Sequence, residues 1–324
     1  MLDILSIGDC TIDVFLNVEE GNIQCNLKKQ ICEICFNYGD KIPVKEVIQI
    51  AGTGNAANLA IGAARLGLKS TINTIVGNEG SHHAIIANFK KEKVDLRYLT
   101  HDKKSPTNYS AIINYKGERT IFSHHEIRQY SFPTIKQKPK WIYLTSVGKN
   151  YETLYKKTVD YCKKNNVKLG FNPGTLQVRD GLTKIKNVIK QSNVMIINKD
   201  EARMILNNTE SKDIKYYLKS FFKLGSNNIV ITNGEYGAYS YDGREFLHIN
   251  TLGSKVVERT GAGDAFSTGY ISAVLNGFDC HNALKWGTIN SDSVIQHIGP
   301  QIGLLTKKEM IKKISKYSPK INKI

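Results

Sequence analysis

The most chemically pointed stretch of this 324-residue chain is Arg259-Thr-Gly-Ala-Gly-Asp264. A loop of small residues opens directly into a helical pattern that runs to Asn276. At such a junction the first backbone N–H groups have no intrahelical acceptors and carry the positive end of the helix dipole. Gly261, Ala262 and Gly263 let an anion approach that backbone closely, so the loop reads as an anion hole. Asp264 falls in the first turn, where the same field favours its ionised form and lets it accept a proton. The pair is a phosphate cradle with a general base beside it, although the same residues could form only an N-cap after a tight turn. The Gly-Lys-Ser/Thr ending of a P-loop is absent, so phosphate is handled by a helix terminus and a metal.

Three further groups lie where strands give way to turns. In Ile196-Ile-Asn198-Lys-Asp-Glu201, Asn198 and Glu201 stand three apart across a first helical turn. They could hold Mg²⁺ through waters, or form a capping box, and the two are compatible. Val230-Ile-Thr232-Asn-Gly234-Glu-Tyr-Gly237 is another strand running into a glycine turn, where a flat base or a phosphate can lie against the main chain. In Ala51-Gly-Thr-Gly54-Asn-Ala-Ala-Asn58, glycines and a polar side chain head a helix of small residues. Asn58, with Asp13 five residues beyond the Gly8 turn, offers the amide and carboxylate that recognition of a polyol needs; taken singly, these are turns and caps.

The elements that must position these residues alternate in type. Leu2–Gly8 reads as a buried first strand, Asn55–Leu66 as a helix closed by Gly67, Ser70–Val76 as a strand and Ser81–Lys93 as a helix. Strands over Trp141–Thr145, Val167–Phe171, Val194–Ile197 and Asn228–Thr232 are separated by helices over Tyr151–Lys164, Leu182–Gln191 and Lys199–Leu224. Helices over Gly261–Asn276, Asn282–Gln296 and Lys307–Lys316 finish the chain, with a frayed tail from Ser318. This is the pattern of an α/β fold built on a doubly wound, mostly parallel sheet. The β-prone runs Ile12–Val18, Gln30–Phe36 and Val44–Ile50, and a hairpin over Asn108–His124, break the alternation and form a second, smaller sheet. The division expected is a core of residues 1–11, 51–107 and 126–324, with 12–50 and 108–125 inserted as a β-sheet lid.

The net charge of +16 comes from lysines spread along the chain in pairs such as Lys90-Lys91 and Lys163-Lys164. A nucleic-acid surface would gather them in a stripe, so these read as solvated helix faces, and no nucleic-acid partner is expected. No stretch is apolar for the length of a membrane span, and the first residues lack the basic flank of a signal peptide, so a cytoplasmic enzyme is expected. Of the six cysteines, Cys25, Cys32 and Cys35 cluster. Without a secretory signal they are expected to be reduced, and without a fourth ligand they are not expected to hold zinc.

Together these motifs resemble the ribokinase-like (PfkB) carbohydrate kinase family. Gly54…Asn58…Arg65-Leu-Gly67 is similar to its first signature and Arg259-Thr-Gly-Ala-Gly-Asp264-Ala-Phe…Gly269 to its second, and the likeness covers essentially the whole chain. The resemblance implies an α/β core with a β-sheet lid, sugar held between them and MgATP along the strand ends. Asp264 would be the catalytic base, with Gly261, Ala262 and Gly263 as the anion hole. Asp13, Gly54 and Asn58 would bind substrate; Thr232, Gly234, Gly237 and Asn290 would lie beside the nucleotide. Asn198 and Glu201 would serve Mg²⁺. The residue two before the family's threonine is usually Asp and is Glu258 here; several relatives hold a monovalent cation near it, so the departure puts K⁺ activation in question. A small free sugar is the first acceptor expected, a nucleoside the second. A sugar phosphate is the third, with Arg119, Lys41 and Arg128 as candidate cations. A homodimer through the lids, covering Ile31, Ile34, Phe36, Ile112 and Phe122, is expected as well.

Overall fold

A computed structural model describes every residue except Met1, Leu27–Gln30, Thr209, Ser211 and Ser318, and of Ile31 only the backbone. The starts of the expected Gln30–Phe36 strand and of the expected frayed tail at Ser318 therefore lie outside the described residues. The chain opens with β1 (Leu2–Ile7), leaves as β2 (Thr11–Val18), makes a hairpin of β3 (Asn22–Asn26) and β4 (Ile31–Cys35), and returns through β5 (Val44–Thr53) into α1 (Asn55–Arg65). Next come β6 (Ser70–Val76), α2 (Ser81–Lys91) and β7 (Asp95–His101), then a second excursion as the hairpin β8 (Asn108–Tyr115) and β9 (Glu118–His124). Alternation then sets in: β10 (Pro139–Leu144), α3 (Glu152–Asn165), β11 (Lys168–Phe171), α4 (Thr175–Asp180), α5 (Leu182–Gln191), β12 (Val194–Asn198), α6 (Lys199–Ile205), α7 (Ile214–Lys223) and β13 (Ile229–Thr232). The chain closes with β14 (Ala238–Tyr241), β15 (Phe246–Ile249), α8 (Ala262–Leu275), α9 (Cys280–Val294), α10 (Lys307–Tyr317) and β16 (Ile321–Lys323).

Ten strands form the main sheet in the order β16-β15-β14-β13-β12-β11-β10-β1-β6-β7. From β7 to β13 all pairings are parallel, and β13 to β16 are antiparallel. Alternating side chains feed the two faces. Leu5, Ile7, Ile142, Leu144 and Phe171 pack with α3, α5 and α7, while Ile4, Trp141, Tyr143, Ile196 and Val230 pack with α8, α9 and α10. The expected fold class is therefore the observed one.

Several elements differ from expectation. The single helix expected over Lys199–Leu224 is two, because Asn207 takes a left-handed φ of 52° and a polar run follows before Ile214. β3, β7, α4, β14 and β15 were not expected, and Ile321–Lys323, read as fraying, pairs with β15 instead. The cysteine expectation is also corrected. Cys25 and Cys32 face each other across the β3–β4 ladder with Cα atoms 4.0 Å apart and form a disulfide, leaving Cys35 free. Cross-strand register, invisible in the Cys32-x-x-Cys35 spacing, brings them together.

The small sheet runs β5-β2-β8-β9, with β3–β4 as a separate two-stranded ribbon. Its strands have a period of two. Thr11, Asp13, Phe15, Ser110 and Ile112 share one face, while Tyr109 and Phe122, opposite Ile12 and Ala111, lie on the other, whose Ile12 and Val14 are buried against α1 and α2. Of the apolar set expected to seek a dimer cover, Ile112 is 1% exposed, because that period turns it inward. Ile34 and Phe36 are half-buried beside Gly21, and Phe122 is 61% exposed.

Candidate active site

Two helices start at one place. Gly62 of α1 sits so close to α8 that a Cβ there would stand 2.5 Å from the Thr268 methyl. One turn earlier on each helix are Asn58 and Asp264, and at that separation the Asn58 Nδ2 donates to the Asp264 carboxylate at 2.7 Å. The small residues of α1 thus set the distance at which two polar side chains meet. Asn58 is held from its other side by Gln301, whose Nε2 donates to Asn58 Oδ1 at 3.0 Å and to the Gly52 carbonyl at 2.7 Å.

The loop before α8 is the stretch expected to serve as an anion hole. Gly261 is in the left-handed region at φ 78°, and a Cβ would stand 2.3 Å from Pro300. Gly263 is exposed, with nothing within 4 Å of its missing side chain. The Ala262 N–H donates to the Arg259 carbonyl at 3.3 Å, and the other N–H groups of the α8 first turn lie here with Asp264 beside them. The helix field was expected to keep Asp264 readily ionised, but burial outweighs it and raises the Asp264 pKa to about 6. The Asn58 hydrogen bond pulls that value down and the nearby Asp13 charge pushes it up. A carboxyl near 6 is a stronger base than an ordinary aspartate and still ionised at neutral pH.

Asp13 is buried on the inner face of the small sheet. Burial raises its pKa, while the Thr53, Thr11 and Ser110 hydroxyls stabilise its charged form. Gly54, at φ 97°, caps α1, and a Cβ there would stand 2.9 Å from the Asp9 carbonyl.

Along the carboxyl edge of the main sheet, Asn198 and Thr232 are register neighbours. Asn198 and Glu201 form the reciprocal capping box: Glu201 N–H donates to Asn198 Oδ1 and Asn198 N–H to Glu201 Oε2, both at 2.8 Å. Glu201 is pushed up to about 7, first by burial and then by the negative charges of Asp264 and Asp200, against the Asn198 hydrogen bond. A carboxylate raised by burial and by neighbouring negative charge suits a divalent cation. Among the described residues no group of three or more His, Cys, Asp or Glu gathers at ligand spacing. Mg²⁺ held through waters and phosphates fits that arrangement. Gly234 opens the turn after Thr232 with free space around it, whereas Gly237 backs onto the Ile249 carbonyl. Asn290 is fully buried; it donates to the Ala265 carbonyl and accepts from Leu305 N–H, so its amide is spent on the backbone beneath α8.

Sequence reasoning missed Gln301, the hydroxyls around Asp13, and Asp9, which accepts the Tyr130 hydroxyl at 3.0 Å beside the Gly8 turn. Asn172 ties the next strands together, donating to the Ile196 carbonyl and accepting from Asn55. The signal available for Gln301 was the Gly299-Pro-Gln-Ile-Gly303 turn.

A family model described as pfkB family carbohydrate kinase matches residues 1–307. An ATP-dependent 6-phosphofructokinase of Thermoanaerobacterium thermosaccharolyticum is 26% identical over 93% of this chain and 90% of its own. A nucleoside kinase of Methanocaldococcus jannaschii superposes with a TM-score of 0.78 at 20% identity, covering 98% and 99% of the two chains. A ribokinase of Arabidopsis thaliana, solved with ribose and ATP, gives 0.77 at 17% identity over 96% and 98%.

Proposed function

The chain belongs to the pfkB family of carbohydrate kinases, and from that premise we propose that it transfers the γ-phosphate of ATP to a hydroxyl of a small sugar. The observation that carries this reading is the Asp264 carboxylate, aimed by Asn58 and raised to about 6, beside the open first turn of α8. Asp264 takes the proton from the attacking hydroxyl, and the Gly261, Ala262 and Gly263 backbone with the α8 dipole stabilises the charge that develops on the phosphoryl oxygens. Thr232 and Gly234 lie against the nucleotide; Asn198 and Glu201 would hold Mg²⁺ through waters, where it would supply neutralisation of phosphate charge. Asn290 positions α8 from below.

The acceptor lies between Asp264 and Asp13, in a setting rich in hydroxyl, amide and carboxylate groups that suits a polyol. Residues 12–50 and 108–125 act as a lid whose closure excludes water. A nucleobase wall would call on Tyr109 and Phe122, but these share the face opposite Asp13, which favours the sugar over the nucleoside within one subunit. The cations a sugar phosphate would need are largely committed: Arg128 is buried against Asp102 and the Pro106 carbonyl, and Arg119 faces Glu258. We assign the outer face, where Val47 and Phe122 are 58% and 61% exposed, to a homodimer contact. An ATP-coupled assay against free sugars, nucleosides and sugar phosphates tests the reading. Turnover of free sugars is expected, and turnover confined to nucleosides would replace this acceptor with the second.

A further inference from the structure

The small sheet meets the loop before the anion hole at a crossed pair of charges. The β8–β9 hairpin tip carries Glu118 and Arg119, and the loop carries Glu258 and Arg259. Arg259 Nε lies 3.3 Å from Glu118 Oε1 at the surface. Arg119 Nε lies 3.7 Å from Glu258 Oε1, and there the side chains are 30% and 4% exposed. The Glu258 carboxylate also accepts the N–H groups of Thr260 at 2.6 Å and Gly299 at 3.3 Å. Thr260 precedes Gly261, and Gly299 precedes the Pro300 against which Gly261 packs. One buried carboxylate therefore ties together the two segments that shape the anion hole.

We propose that Arg119 is a positioning residue: through Glu258 it couples the hairpin tip to the anion-hole loop and supplies, from within the chain, the positive charge that a monovalent cation would bring there. The proposal rests on the kinase reading above. A buried carboxylate needs a counter-charge, and a monovalent ion on Glu258 would meet a guanidinium, so K⁺ does not fit this position. Arg119 Nε is buried and has no hydrogen-bond partner among the described residues. It stands about 1 Å beyond the reach of a charge-assisted hydrogen bond to Glu258, so a small inward movement of the hairpin completes the contact. A cleft lined by Asn17, Asn114, Lys116, Val257 and Ile298 leaves room for that movement. Lid position is thereby read at the phosphate cradle.

The intact enzyme should turn over equally fast in K⁺, Na⁺ or tetramethylammonium salts. Arg119→Ala should lower kcat about tenfold, the worth of one charge-assisted hydrogen bond, with little change in the KM for ATP. Arg119→Lys should restore most of it, and free guanidinium should accelerate the alanine variant but not the parent. Independently, amide exchange at Thr260 and Gly299, read on substrate-free protein, should quicken in Arg119→Ala and not in Arg119→Lys. Strong K⁺ stimulation of the parent, or an alanine variant matching the parent in exchange, overturns the proposal. If no substrate is phosphorylated at all, the kinase reading fails, and the exchange measurement still decides the coupling.

Discussion

Asp264 is a carboxylate that burial disfavours and Asn58 supports. Replacing it with asparagine keeps the shape and the Asn58 neighbourhood but removes the base. Asp264→Asn should bind ATP, stay folded and lose turnover by on the order of 10² or more. In the parent, kcat should rise with pH through about 6 as the carboxyl ionises. Stability moves the other way: the folded state keeps its proton where an unfolded aspartate has lost it, so stability falls as pH climbs from the ordinary carboxylate range to about 6. Thermal melts of Asp264→Asn should show a flatter slope in that window; an unchanged slope would mean the carboxyl is not strained. The two loop glycines should separate. Gly261→Ala meets Pro300 and a left-handed backbone and should lose stability and activity together, whereas Gly263→Ala has space and should melt no lower while turnover drops. This loop was legible because small residues before a helix have a local meaning. Gln301 was not, because its role depends on Asn58, 243 residues away.

At the scale of elements, the capping box of α6 and the proposed Mg²⁺ role draw on the same side chain. Glu201→Ala would confuse the two, since it unties the helix start as well. Glu201→Gln keeps a side chain able to reach back to Asn198 and removes the charge. Its helix content should match the parent while the Mg²⁺ concentration for half-maximal rate rises several-fold; unchanged metal dependence would leave Glu201 as a cap alone. The parallel strands from β1 to β13 were readable because burial on both faces makes continuous apolar runs. β14 and β15 escaped notice because four residues each, Ala-Tyr-Ser-Tyr and Phe-Leu-His-Ile, are too short for a period of two to stand out. β7 lies at the sheet edge with a mixed polar sequence, and the Cys25–Cys32 pair depends on a ladder register that spacing along one strand does not report.

At the scale of the whole molecule, a four-stranded sheet with Val47 and Phe122 bare on its outer face should not stay alone in water. Light scattering at micromolar concentration should give twice the 36.3 kDa chain mass, and Phe122→Lys should shift it toward one chain. A strictly monomeric, fully active parent would remove the dimer. The same sheet bears on how the chain is made. β2 pairs parallel with β8, and the bond from Asn114 to Asn17 spans 97 residues, with β5, α1, β6, α2 and β7 lying between. During translation, β2 therefore leaves the ribosome long before its neighbour exists, for roughly 5 to 20 seconds at ordinary elongation rates. Until then Val14, Phe15 and Leu16 have β5 alone to pair with, and the sheet is a two-stranded ribbon with an open edge. Nascent chains stalled before Asn108 should leave that β2 edge open to chaperone binding, whereas chains stalled well beyond His124 should have it covered by β8, which crosslinking from Val14 or Leu16 would read.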